Sequence, residues 1–570
     1  MAQSLLLRID EFLAEAARRT PARMLAVLTR PNVLGVVAAA WMFGQSLRPS
    51  LLLRAWLYQG VLAAVAIVLG YWIGATLWQV GAWVAGRTAA TWQPSAAVRT
   101  RWRVGSWILA LGYAVWSVVA AVNDHEWTWQ RLGHEPGSFW YIYGGALLVA
   151  AAVAALLFAL GAGLRWVWLR LAGAGARLLP AWIAGGLALV LLAWAVLASM
   201  SNVVLERTLD GFNASFSAGD RNLDEAPEPP TSSVRSGGPE SQVDWAATGR
   251  EGRRFLTRGP SVEDIDDFAD GEVSEPVRVF VGRAEADTVE ERVALAVDEL
   301  DRFGGFEREV LLVVVPTGTG WVNEQIVQPL EYFHAGDVAT VSVQYSHMPS
   351  PLAFLAEAEA AGDTGAALVA AVEERLATLS DPPTLYVAGE SLGSFGGSHA
   401  FESLADSAER TDGALWVGPP ETMHLRREAE RTRQPGSTQV KPVVGDGTEF
   451  VFINRSSDFE ALDPARPPHS VFLQQADDPI VWWDWETAYE RPDWLREPLD
   501  PAVNPEVEWS PITTFLQLAV DMGVSNDFDE EHGHLYGTLP LTSWFAIDRP
   551  AGWDAAKVEE LRERLVYAPR

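Results

Sequence analysis

"LYVAGESLGSFGG", residues 385–397, is the stretch on which the fold turns: an apolar run ends in one serine, Ser391, between Gly389 and Gly393. A chain of this length meets G-x-S-x-G by chance at about 0.1 to 0.3 sites, given about 7% glycine. Setting therefore decides its weight. "TLYVAG" reads as a strand and "SLGSFGGSHAFESLADSA" as the helix after it, which puts Ser391 on a strand-to-helix turn. Such a turn strains the serine backbone, needs small neighbours, and lifts the hydroxyl above the C-terminal edge of a sheet. Ser394 and Ser398 fall on the helix face.

The same alternation extends on both sides. "VRVFVG", "VLLVVVP", "VATVSVQYS", "ALWVG", "FVFIN" and "SVFLQQ" are apolar runs of strand length. Between them, "DTVEERVALAVDELDRF" behind a capping Asp287, "WVNEQIVQPLEYF" and "GAALVAAVEERLATL" carry apolar residues at helical spacing. Apolar strands alternating with helices predict a mostly parallel sheet covered on both faces.

A serine nucleophile needs a base and a group that orients the base, in the chain order serine, acid, histidine on this kind of sheet. "ADDPIVWWDW" follows the strand "SVFLQQ" and offers Asp477 and Asp478, with Asp478 preferred because it stands directly before Pro479. The C-terminal histidines are His532 and His534 in "DEEHGHLYG"; Gly533 permits a tight loop, which favours His534 and leaves His532 second. His334 and His424 read as surface residues of helices or loops. No cysteine is present, so thiolate ligands, disulfides and a cysteine nucleophile are excluded. An i, i+2 histidine pair without a third ligand does not make a metal site, and no cofactor is expected. The oxyanion calls for two preorganised donors, assigned to the N–H of Leu392 and to the loop "TGTGW", residues 317–321, with Thr319 first and Gly320 next. That loop has neither a P-loop lysine nor a full G-x-G-x-x-G, so it is no phosphate cradle.

Charge divides the chain. Of its 570 residues, the first 205 hold 15 Arg, no Lys and 6 acidic residues, whereas the remainder holds 28 basic and 67 acidic ones. A split of this size predicts different solvents for the two parts. The acidic part is unsuited to nucleic acid, whose phosphates need a basic face. Five apolar stretches occupy the first part: Val33–Leu53, Leu57–Trp83, Val104–Val122, Phe139–Gly161 and Ala181–Val204. About 20 residues suffice to cross a bilayer core, and runs such as "YGGALLVAAAVAALLFALGAG" offer no polar face to water. Arg48 and Arg54 limit the clean core of the first stretch, which predicts a helix ending near Leu47 with Arg48 snorkelling. Arginine counts before the first span and in the four loops that follow run five, two, four, one, three. Arginine-rich loops stay inside, so the N-terminus is expected in the cytoplasm and everything after an odd number of spans outside. Trp127, Trp129, Trp140, Tyr141 and Tyr143 suit an aromatic belt. The expected organisation is a transmembrane region over 1–205 with about five helices, an acidic Pro/Ser/Gly-rich tether over 206–275, and a catalytic domain over 276–570.

Six blocks carry a resemblance: "VPTGTGW", "LEYFHAGDVATVSVQYS", "YVAGESLGSFGG", "DGALWVGPP", "LQQADDPIVWW" and "HGHLYG", in this order behind a multi-span N-terminus. The chain resembles a family of bacterial, mainly actinobacterial, membrane-anchored α/β-hydrolases. The resemblance covers nearly the whole chain, least in the tether. It implies an α/β-hydrolase fold and a Ser-Asp-His triad, carried onto Ser391, Asp478 and His534; the doublets with Asp477 and His532 leave the members open. It implies no substrate. The expected activity is that of a serine hydrolase in the cell membrane, with the lipid bilayer as partner and carboxylic esters, lipid or acyl esters among them, as substrates, since tryptophans crowd 482–494 and 509. An acyltransferase using the same triad is the alternative, because the two differ only in whether water is excluded. A non-catalytic binding or transport protein would not need the complete serine, acid and histidine set.

Overall fold

The computed structural model describes residues 32–87, 95–133, 143–200 and, with gaps at 218, 221, 224–225 and 270, residues 217–565. The chain forms two compact units. One comprises residues 1–208 together with 506–521; the other comprises 209–505 and 522–570.

The first unit is helical: Val33–Ser46, Trp56–Arg87, Ala96–Asp124, Gly145–Gly175 and Ala181–Met200 correspond to the five apolar stretches. Among the described residues, three helices in this unit are long and apolar enough to cross a membrane, over Trp56–Gly81, Thr100–Arg131 and Gly145–Gly175. The first helix stops at Ser46, and its 14 residues rise only about 21 Å, short of a hydrocarbon core of about 30 Å. It packs on the second through small residues. A Cβ on Gly74 would lie 2.5 Å from the Leu34 carbonyl oxygen, and one on Gly70 2.6 Å from that of Ala38, so this four-residue glycine spacing lets two backbones touch. Outward positions carry Ile108, Leu109, Leu111 and Leu148, all exposed, which suits a lipid surround.

The segment 506–521, far along the chain, is built into this helical unit. Its helix Thr513–Asp521 seats on the loop that follows Ser46. Gln517 Nε2 donates to the Arg48 carbonyl at 3.0 Å, and Arg48 pairs with Glu508. Asp521 lies 2.9 Å from Arg54, both side chains essentially free of solvent. The two arginines that limit the first stretch are thus both paired.

In the second unit all seven expected strands form: β1 Val277–Val281, β2 Val310–Val315, β3 Val338–Val343, β4 Thr384–Glu390, β5 Gly413–Val417, β6 Phe450–Ile453 and β7 Ser470–Leu473. They pair in parallel in the order β1-β3-β2-β4-β5-β7-β6. Alternate residues feed two cores, Leu311 and Val313 on one face, Leu312 and Val314 on the other. Double-sided burial is why these strands read as unbroken apolar runs. The central strand is β4, so Ser391 follows a strand held on both sides.

Three local expectations are corrected. Thr288, not Asp287, caps the helix Val289–Arg302, exchanging bonds with Glu291 in a capping box. The helix after Ser391 covers only Leu392–Ser398; a second, Leu404–Arg410, starts anew at the cap Ser403. The stretch 206–275, expected to be a tether, carries the helices Gly249–Thr257 and Val262–Asp266 and buries Phe255, Leu256, Ile265 and Phe268 in the core. Arg278 on β1 secures this stretch. Its guanidinium meets Glu331 through two bonds of 2.7 Å and donates to the carbonyls of Phe255 and Arg258.

Candidate active site

Ser391 occupies φ 55°, ψ −120°, a conformation that costs a non-glycine residue on the order of 1–3 kcal/mol and persists only where the surroundings impose it. The surroundings are its glycines. A Cβ on Gly389 would lie 2.4 Å from the Gly393 backbone, and one on Gly393 2.2 Å from the Val315 carbonyl oxygen. The helix Leu392–Ser398 can pack this close to β2 and β4 only because both positions lack side chains. Ser391 N–H donates to the Val417 carbonyl at 2.8 Å, and the buried Ser394 hydroxyl reaches the carbonyls of Gly389 and Val417. Ser394 therefore staples the turn, whereas the Ser398 hydroxyl donates to Phe395 O.

Asp478 caps the short helix Pro479–Trp482: Oδ1 accepts the Ile480 N–H at 2.9 Å, with Pro479 at the first helical position. Capping turns Oδ2 toward His534, whose Nδ1 lies 2.6 Å away in a fully buried pair. Tyr536 donates its hydroxyl to the same Oδ2 at 2.8 Å and accepts the Gln475 N–H at 3.2 Å. Burial, then the neighbouring Asp478 carboxylate, hold the Tyr536 phenol well above its ordinary range, so it stays a donor. From the other side Arg426, itself buried, donates to Gln474, pairs with Glu430 and Glu421 and covers the Trp482 ring, while Trp482 bonds the Gln475 carbonyl.

The His534 ring rests on Gly418, the residue after Val417. A Cβ there would lie 2.3 Å from His534 Cε1. Because the Val417 carbonyl of β5 accepts the Ser391 N–H, this contact puts the imidazole at the end of the strand next to the one that carries the serine. His534 Nε2 is buried and has no hydrogen-bond partner among the described residues.

Asp477 and His532 form a separate pair at 2.9 Å, with Asp477 Oδ1 also accepting the Gly533 N–H. Burial raises the Asp477 carboxyl above its ordinary value, opposed by His532. The adjacent acids thus face different histidines. His334 is not a surface residue: it is half-enclosed between Asp548 at 3.0 Å and Glu309 at 3.3 Å. His424 likewise faces inward, its Nε2 2.8 Å from the Phe401 carbonyl oxygen.

Directly after the serine, Leu392 begins its helix, so its N–H has no intrahelical acceptor. Gly320 N–H donates to the Thr317 carbonyl at 2.9 Å, closing the turn, and is corrected as a donor for that reason. Gln344 pins the Thr319 carbonyl at 2.9 Å, and Asn323, which caps the next helix, bonds Glu390 at 2.6 Å, tying the loop to the residue before the serine. Tyr536, Gly418, Gln344 and Asn323 were not singled out from sequence. For Gly418 the only signal is a glycine directly after an apolar strand.

A parallel sheet bearing a strained serine elbow at the end of its central strand defines the hydrolase-type α/β fold. Residues 277–561 match the Alpha/beta-hydrolase family and residues 47–260 its N-terminal family, and the chain belongs to the Alpha/beta-hydrolase family. No curated protein and no solved structure matches the chain.

Proposed function

We propose that the protein is a membrane-anchored serine hydrolase acting on carboxylic esters, lipid or acyl esters among them. One observation supports the reading: the strained Ser391 elbow follows β4, and His534, in its buried pair with Asp478, rests on Gly418 just past the end of the neighbouring strand β5. Ser391 Oγ attacks the ester carbonyl carbon while His534 Nε2 takes the hydroxyl proton. The Leu392 and Thr319 amides face the resulting oxyanion. The carbon–oxygen bond to the alcohol breaks, and His534 returns the proton to that oxygen. Water then attacks the acyl-enzyme and gives a proton to His534, which passes it to Ser391 Oγ as the carbon–oxygen bond to the serine breaks and the carboxylic acid forms. Asp478 accepts from Nδ1 throughout, and Tyr536 keeps it oriented.

An apolar acyl group is supported by what lies beside the elbow. Tyr345, Met348, Ala353 and Leu392 form one apolar cluster with Leu352 and Phe354, and the Phe354 ring meets Trp483 edge-on at 6.4 Å. The long apolar helices and the arginine alternation support a multi-pass cell-membrane protein, with about five helices, a cytoplasmic N-terminus and the hydrolase unit outside. The test is Ser391→Ala in the whole chain in detergent micelles. Hydrolysis of p-nitrophenyl esters should fall at least about 10³-fold and fluorophosphonate labelling should vanish. Retained activity in a folded Ser391→Ala protein would overturn the assignment.

A further inference from the structure

The second acid–histidine pair touches none of the groups that the proposed reaction uses, yet it sits on the residues that carry one of them. Resting on the reading of His534 as the base, we propose that Asp477 and His532 are positioning residues for His534, acting through the backbone of its loop.

The Asp477 carboxylate is divided between two successive residues, Oδ2 toward the His532 ring and Oδ1 toward the Gly533 N–H. These are the two residues directly before His534. The loop needs such a grip because its backbone is left-handed twice, at Glu531 with φ 63° and Gly533 with φ 59°. A non-glycine residue holds that conformation only where its neighbours enforce it. Three backbone bonds close the rest: Glu531 N–H to Leu535 O at 2.9 Å, Leu535 N–H to His532 O at 3.2 Å, and His534 N–H to Ser525 O at 2.7 Å. Gln475 Nε2 adds a bond to the Leu535 carbonyl, and Ser456 bonds the Glu531 carboxylate from the other side. Placing a second buried carboxylate next to Asp478 works against itself electrostatically. The sheet gains nothing from it, since β7 ends at Leu473 and, among the described residues, the Asp477 side chain bonds only this loop. The grip fixes the direction in which His534 leaves the turn, and a base displaced by about 1 Å loses on the order of 10²-fold in rate.

The experiment compares Asp477→Ala, Asp477→Asn and His532→Gln with wild type, in the whole chain in detergent micelles. It reads kcat and KM on a p-nitrophenyl ester, the rate of fluorophosphonate labelling, and thermal unfolding. Asp477→Ala should lower kcat about 10²-fold with KM within about threefold, and labelling should slow in parallel. Asp477→Asn keeps an acceptor for Gly533 and should recover at least about a tenth of wild-type kcat; His532→Gln should lose about tenfold. Wild-type kcat in folded Asp477→Ala and His532→Gln, even with lower thermal stability, overturns the proposal and assigns the pair a purely structural role. Should Asp477→Ala fail to fold, His532→Gln and Asp477→Asn decide alone, and wild-type kcat in both overturns it. His534→Ala separates the two levels: if it stays active while His532→Gln is dead, the reading of His534 as the base fails, and the positioning proposal with it.

Discussion

Gly418→Ala tests the placement of the histidine from a position that no motif marks. The added methyl carbon would lie 2.3 Å from His534 Cε1 and 2.8 Å from Nδ1. Carbon atoms pack no closer than about 3.5 Å, so either the imidazole or the backbone at 418 must move by about 1 Å. The backbone is the poorer candidate, because Gly418 N–H is bonded to the Leu473 carbonyl at 2.9 Å and continues the β5–β7 ladder. The ring therefore moves, and Nε2 with it. A displacement of that size costs about 10²-fold in kcat, close to 3 kcal/mol of transition-state stabilisation, while substrate binding is little changed. Gly418 has φ 53°, so alanine adds about 1–2 kcal/mol of backbone strain to the folded state. The expected protein is folded, somewhat less heat-stable, and slow both in ester hydrolysis and in fluorophosphonate labelling of Ser391. Wild-type kcat in folded Gly418→Ala would refute the reasoning, since the imidazole could not then rest on this glycine during turnover.

Tyr536→Phe removes one donor from Asp478 and strands the buried Gln475 N–H; kcat should fall about tenfold with KM unchanged, measured on the same ester. Arg278→Met leaves Glu331 buried without its cation, and chemical denaturation should show a loss of about 3–5 kcal/mol, whereas a change under 1 kcal/mol would mean that the pair contributes little. Burial disfavours the charged His334 imidazole, but Asp548 and Glu309 outweigh it and raise its pKa. A raised histidine stabilises the fold fully below its unfolded pKa of about 6.5 and less as pH climbs through the folded value. Melting temperature should thus decline above about pH 6.5, and His334→Asn should flatten that part of the profile. Gly393→Ala, with its methyl 2.2 Å from a backbone oxygen, should fail to accumulate as folded protein in a solubility and proteolysis assay.

All seven strands were legible because strands buried on both faces leave continuous apolar runs such as "VLLVVVP". Their spatial order was not, since β7 enters between β5 and β6 through contacts that no local pattern encodes. Composition cannot rank Asp477 against Asp478. What separates them is that Asp478 spends Oδ1 on a helix cap, a consequence of the Asp-Pro pair that sequence does display. Gly320 reads as a free donor until the turn closes on Thr317. Tyr536 carries no signal, because an aromatic residue two positions after a histidine is unremarkable until its hydroxyl finds a carboxylate. The stretch 206–275 misled by its Pro, Ser and Gly content; Phe255, Leu256, Ile265 and Phe268 are too few to register as a core in a sequence window, yet all are buried.

The segment 506–521 has a consequence for the order of synthesis. The described helices of this unit run to Gly175 before the last of them begins at Ala181, but the partner of Arg54 is Asp521. At about 5 to 20 residues per second, roughly 15 to 70 s separate the translation of those helices from the arrival of that carboxylate. During that interval Arg54 is without Asp521, and the whole sheet, whose last strand ends at Leu473, is made before the first unit can be finished. A ribosome that stopped after residue 208 would release the helical unit without its segment 506–521. Nascent-chain crosslinking between positions 54 and 521 should accordingly appear only once the ribosome has moved well beyond Asp521.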